Sequence, residues 1–328
     1  VTGLLRRVPS TPPVLMRRLA IANLVAQIGI GVTGSVVRVT GSGLGCSTWP
    51  QCEPGSMVPV SHAEIAPLHM WIEFGNRLLG VLVVLTAGAT LLAALATRPR
   101  RRRLTALALA MPLGVVAQAV IGGITVLAGL AWWTVMLHFL ASMVLVWFAV
   151  LLVTATTEDE GPVTPTVPAA GRGLVLFSTA VLAVLLVAGT LVTAAGPHGG
   201  DPETPRLAVD IPLLTQIHVD ALFLYLGALV GIGFLFRAVG APASLHRRYA
   251  TLIAVVLAQG VLGSVQYALG VPELLVSLHV LGAGLVTAAA AWMWAGTATR
   301  PAPSAAAPHA VDPAPGSRPL AGATADRP

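Results

Sequence analysis

His69, Glu73, Asn76 and Arg77 open a long apolar stretch, and their spacings of 4, 3 and 1 put them on one helix face. An imidazole, a carboxylate, an amide and a guanidinium held together could bind a charged or metal-bearing substrate and move a proton on it. The bland alternative is an interfacial cluster, with Glu73 and Arg77 forming an i, i+4 ion pair worth about 0.3–0.5 kcal/mol when exposed. Three more histidines, His138, His218 and His279, sit early in later apolar runs. Gln118 precedes His138 by 20 residues, and Gln259 precedes His279 by the same 20. Imidazoles offered by facing helices inside an apolar bundle suit axial ligation of a haem iron. Zinc would want three or four close Cys, His or carboxylate ligands, and Cys46 and Cys52 belong to a different element.

The elements that must position these groups are membrane spans. Of 328 residues, 55% are hydrophobic and 10% charged, and the mean hydropathy is +0.83. That composition describes a polytopic membrane protein and excludes a soluble enzyme. Eight apolar runs of spanning length fall near 15–37, 70–96, 104–127, 131–154, 172–195, 213–236, 247–269 and 274–296. More spans follow the first run, so no cleavable signal peptide is expected. Residues 1–14 and the Pro- and Ala-rich 301–328 are expected to be disordered.

All 19 basic residues are arginine, and 16 of them fall on one side of the spans, leaving only Arg38, Arg77 and Arg206 opposite. The bias predicts that both termini are cytoplasmic. It also accounts for the pI near 10.6 without nucleic acid. Outside loops then alternate long (38–69), short, long (196–212), short, which suggests one four-helix unit used twice. Gln118-Ala-Val-Ile-Gly122 matches Gln259-Gly-Val-Leu-Gly263, and Met136-Leu-His-Phe-Leu140 matches Ser277-Leu-His-Val-Leu281. At this offset of 141, give or take one, His218 falls on Asn76 or Arg77. The expected architecture is all-α, with eight transmembrane helices forming two pseudo-symmetric four-helix bundles, 15–154 and 172–296, joined by a cytoplasmic linker, 155–171. His69, His138, His218 and His279 all lie early in even-numbered spans, hence at similar depth. His62 and His198 lie in outside loops, and His246 and His309 are expected to be solvated.

The loop Gly34-Ser-Val-Val-Arg-Val-Thr-Gly-Ser-Gly-Leu-Gly-Cys-Ser-Thr-Trp-Pro-Gln-Cys52, the run Glu73-Phe-Gly-Asn-Arg77 and the histidines together resemble the haem A synthases. These membrane enzymes convert haem O to haem A for cytochrome oxidases, and the resemblance covers all eight spans. It implies a C-terminal bundle holding a haem b cofactor between His218 and His279. It implies an N-terminal bundle that receives the haem O substrate, with His138 on the substrate iron and Glu73 catalytic. The implied reaction oxidises a ring methyl twice, through an alcohol, to a formyl group. Cys46 and Cys52 match a pair that forms a disulfide in many members, and an oxidising compartment permits one.

Two departures stand out. Many members carry histidine where this chain has Asn76, so the second axial position on the substrate iron falls either to His69 or to no residue at all. Residues 196–212 also lack the cysteine pair that some members have there. Arg38 and Arg77 suit haem propionates, or equally interfacial snorkelling. Gln118 and Gln259 could hydrogen-bond between helices or support a haem. The resemblance also implies a location in the cytoplasmic membrane, a haem O-producing farnesyltransferase as partner, and an electron acceptor. A homo-oligomer is compatible with the sequence. The rival readings are a b-type dihaem electron-transfer protein without chemistry of its own, and a transporter built from two repeats.

Overall fold

The computed structural model describes residues 9–60 and 66–301. Among these residues, eight helices are long and apolar enough to cross a membrane. They are α1 (Pro13–Val39), α2 (Pro67–Ala96), α3 (Arg102–Leu127), α4 (Trp132–Ala155), α5 (Ala169–Ala195), α6 (Ile211–Ala238), α7 (Ala243–Ala268) and α8 (Glu273–Ala295). The chain is a multi-pass membrane protein. A two-residue antiparallel ribbon, β1 (Thr164–Pro165) with β2 (Ala298–Thr299), ties the α4–α5 connection to the end of α8. Several helices begin before their apolar runs because proline at the first turn starts them early, as Pro13 and Pro67 do. His69 therefore lies inside α2, and Pro13 and Val14 belong to α1 rather than to a disordered N-terminus. The rest of the expected N-terminal disorder (apart from residues 9–12), His62, His309 and nearly all of the C-terminal tail lie outside the described residues.

Packing follows the logic of a lipid solvent: small and polar groups turn inward, large apolar ones outward. Along α2 the buried face carries Glu73, Ala87, Thr90 and Ala94, while Leu78, Leu82, Leu85 and Leu92 are exposed. Within each half, consecutive helices pair, α1 with α2, α3 with α4, α5 with α6 and α7 with α8. Helix α8 joins the halves, packing on both α1 and α4. Across this seam Gly284 lies against Ile28, and the Thr287 hydroxyl meets the Met143 sulfur at 3.6 Å.

The repeat is visible in the backbone. Leu130 (φ 57°) and Val271 (φ 63°) occupy the left-handed region at matching turns, each after a left-handed glycine. Their amides bond the carbonyls of Thr125 (2.9 Å) and Gln266 (2.8 Å), closing the ends of α3 and α7 in the same way. A β-branched valine rarely adopts that conformation, so two such turns at one offset mark a shared design. The halves also differ: α2 packs along α3, whereas α6 and α7 scarcely touch. The C-terminal half is the more open bundle.

Candidate functional site

The polar face of α2 is directed at the loop that precedes it. Glu73 Oε2 accepts from the Cys46 amide at 2.7 Å, and Oε1 accepts from Arg77 Nη2 at 2.6 Å. Arg77 continues into the same loop, donating to the carbonyls of Thr48 (2.9 Å) and Gln51 (3.0 Å). Cys46 and Cys52 form a disulfide between these anchor points. The Arg77 donors are thus engaged within the protein. Glu53, a buried carboxylate that sequence reasoning passed over, accepts from Ser47 Oγ at 2.7 Å and lies within electrostatic reach of Glu73. One turn before Glu73, His69 Nδ1 meets Ser42 Oγ at 2.8 Å. The loop is seated so closely that a Cβ on Gly45 would run into the His69 carbonyl. Asn76 turns elsewhere, its Oδ1 lying 2.7 Å from Thr33 Oγ1 on α1.

The three remaining span histidines share one mode of packing. A Cβ on Gly189 would sit 2.9 Å from His218 Cε1, one on Gly263 2.9 Å from His279 Cε1, and one on Gly122 3.1 Å from His138 Cε1. Each imidazole is laid in a notch that a glycine opens on the neighbouring helix. The Gln–His spacing is explained as well, because Gln259 Nε2 donates to the His279 carbonyl at 2.8 Å and Gln118 Nε2 to the His138 carbonyl at 3.2 Å. These glutamines hold the histidine-bearing helix against its partner. Gly122 and Gly263 stand inside the repeated Gln-x-x-x-Gly motif, so for two of the three notches the signal was present in the sequence.

His218 and His279 lie within electrostatic reach of one another across the open half. The Leu185 carbonyl faces His218 Nδ1 at 3.1 Å. That contact takes the ring proton and leaves Nε2 as a lone-pair donor, the arrangement of a metal-ligating histidine. The Nδ1 atoms of His138 and His279 are buried without a hydrogen-bond partner. Among the described residues no group of three or more His, Cys, Asp or Glu could hold a bare metal ion, which disfavours zinc. Glycine cradles, an imidazole pair of which the Leu185 carbonyl orients His218, and a splayed α6–α7 gap fit a flat iron macrocycle.

At the same end, the loops of the two halves are stitched together. The Gly43 amide donates to the Gly200 carbonyl at 2.7 Å, and Arg38 Nη1 to the His198 carbonyl at 2.6 Å. Arg206 Nη2 donates to the Thr193 carbonyl at 2.5 Å and lies within electrostatic reach of Arg38. Burial lowers the Arg206 pKa from its ordinary value, yet arginine keeps its charge in proteins. Among the described residues neither cation pairs with a carboxylate. On α1 the amides of Asn23 and Gln27, also passed over in the sequence, are buried with unpaired atoms.

The glycine notches yield a direct expectation. Gly189→Ala and Gly263→Ala should each displace a histidine ring and, where these rings hold a haem, lower the haem recovered per protein, while Gly227→Ala, with open space around its Cβ, should not. Pyridine haemochrome titration of the purified variants measures the difference.

Fold and site define a class: a polytopic membrane protein of two fused helical units, with imidazoles set toward one end. The chain matches the COX15-CtaA family, described as cytochrome oxidase assembly protein, over residues 17–197. It belongs to that family. A haem A synthase of Symbiobacterium thermophilum is 30% identical over 146 residues, 44% of this chain and 46% of that protein. A haem A synthase of Shouchella clausii is 30% identical over 185 residues, 54% of this chain and 58% of that protein. The chain thus aligns over about half the length of these curated relatives.

Proposed function

We propose that the protein is a haem A synthase, oxidising a ring methyl of haem O through the alcohol to the formyl group of haem A. The observation that carries the reading is the imidazole pair His218–His279, glycine-seated and repeated in part by His138 in a family of cytochrome oxidase assembly proteins. In this reading His218 and His279 hold haem b in the C-terminal half, and His138 holds the substrate iron in the N-terminal half. Bound there, haem b supplies one-electron transfer. Arg38 and Arg206 offer two cations to carboxylates such as haem propionates at the seam of the two bundles. The disulfide-closed loop, clamped by Glu73 and Arg77, covers the mouth of the N-terminal bundle and limits water there. Glu73 accepts protons or orients a polar intermediate from its place beside the loop. The protein would sit in the cytoplasmic membrane with both termini inside, receive haem O from a farnesyltransferase, and pass electrons to a separate acceptor.

The experiment is expression of the chain in cells supplied with haem O, followed by extraction and mass analysis of the haems. Hydroxylated and formyl products are expected. Haem b alone would favour the electron-transfer reading.

A further inference from the structure

Three times the chain seats an imidazole against a glycine of a neighbouring helix, at Gly122, Gly189 and Gly263. The repeat supplies a fourth such place, Gly34 on α1, which matches Gly189 on α5. Its counterpart on α2 is settled by backbone geometry. The Leu185 carbonyl, four residues before Gly189, faces His218 Nδ1 at 3.1 Å. The Ile30 carbonyl, four residues before Gly34, is instead approached by Thr33 Oγ1 at 3.2 Å, and that hydroxyl lies 2.7 Å from Asn76 Oδ1. Asn76 therefore occupies the place of His218. A Cβ on Gly34 would meet nothing within 4 Å, so the fourth notch receives no ring.

The chemistry of this corner differs from that of the other three. One hydroxyl proton serves one acceptor, and the shorter contact directs it to Asn76 Oδ1. That leaves Asn76 Nδ2 without a protein acceptor among the described residues, as a neutral donor beside the uncovered Gly34. His69 does not fill the gap, because it lies seven residues before Asn76, about 10 Å toward the loop along α2. A single proximal histidine, an open opposite side and one amide donor are the features by which a haem pocket admits small ligands rather than only passing electrons.

We infer that the N-terminal half forms a one-histidine haem site with an open distal side, lined by Asn76, Thr33 and Gly34, that takes a small iron-bound ligand of the dioxygen or cyanide class. This rests on the reading above that His138 holds a haem in that half. The amide donor stabilises partial negative charge on a ligand bound to iron, as preorganised dipoles do elsewhere.

The test uses the full chain, purified and loaded with ferric haem, and titrated with cyanide under optical and EPR detection. The wild type should show a low-spin component indifferent to cyanide and a high-spin component that binds it. His138→Ala should lose only the second. Asn76→His should convert it to a low-spin species and abolish cyanide binding, while Asn76→Leu should keep binding but release cyanide faster. A wild type whose N-terminal haem is fully low-spin and cyanide-inert overturns the inference and leaves the haem reading intact. If His69→Ala then creates the high-spin species, His69 is the missing ligand. Haem content unchanged in His138→Ala would instead count against the haem reading itself.

Discussion

His279→Ala is expected to remove the low-spin b-type signature of the C-terminal half while leaving the helical fold in place. The ring lies in a notch made by Gly263, and its backbone carbonyl, not its side chain, is what Gln259 holds at 2.8 Å. Removing the imidazole therefore takes away a ligand without breaking the α7–α8 clamp. The vacated notch is shaped for an imidazole, so added free imidazole should restore the low-spin spectrum in part. His218→Ala should behave alike but be rescued less well, because an exogenous ring lacks the tether that sets Nδ1 against the Leu185 carbonyl. Optical and EPR spectra with and without imidazole, beside far-UV circular dichroism, read these outcomes. A low-spin signal surviving in both variants would assign the C-terminal ligands to other residues.

How far the sequence carries this reading differs from residue to residue. The spans were legible because a stretch near twenty apolar residues has few alternatives, and the errors lie at helix starts, where proline and polar first turns extend the helix beyond its hydrophobic run. The duplication was legible because glutamine and histidine recur at one spacing, though the purpose of that spacing, an amide on a backbone carbonyl, exists only once α3 and α4 pack. Position 76 was ambiguous with 77 until the matching carbonyls of Ile30 and Leu185 fixed the superposition. Arg38 and Arg206 lie 168 residues apart in the sequence, and only the stitching of the two loops brings them together. Glu53 carried no periodic signal at all, because loop residues follow no helical repeat. The α2 face shows how pattern and partner separate: the spacing of His69, Glu73, Asn76 and Arg77 placed them on one side, but the loop claims the first, second and fourth while α1 claims Asn76.

Glu73→Gln is expected to abolish product formation while preserving the haem b spectrum. The carboxylate is flanked by two donors, the Cys46 amide at 2.7 Å and the Arg77 guanidinium at 2.6 Å, with its side chain only 6% exposed. A glutamine must turn its NH2 toward one of them, losing a charge-assisted bond worth roughly 1.5–3 kcal/mol. Arg77 remains bound to the carbonyls of Thr48 and Gln51 and is 21% exposed, so the helix should stay folded while the loop loosens. Two roles are thus entangled, one mechanical and one chemical, and Arg77→Gln separates them. If Glu73 only fastens the loop, Arg77→Gln, which also gives up the bonds to the Thr48 and Gln51 carbonyls, should loosen the loop and lower activity at least as much as Glu73→Gln. If the carboxylate also handles protons at the substrate, Glu73→Gln should be far less active than Arg77→Gln at equal loop protection. Loss of activity in the glutamine variant at wild-type loop protection would place the carboxylate in the chemistry, whereas retained conversion to the formyl product would confine Glu73 to holding the loop.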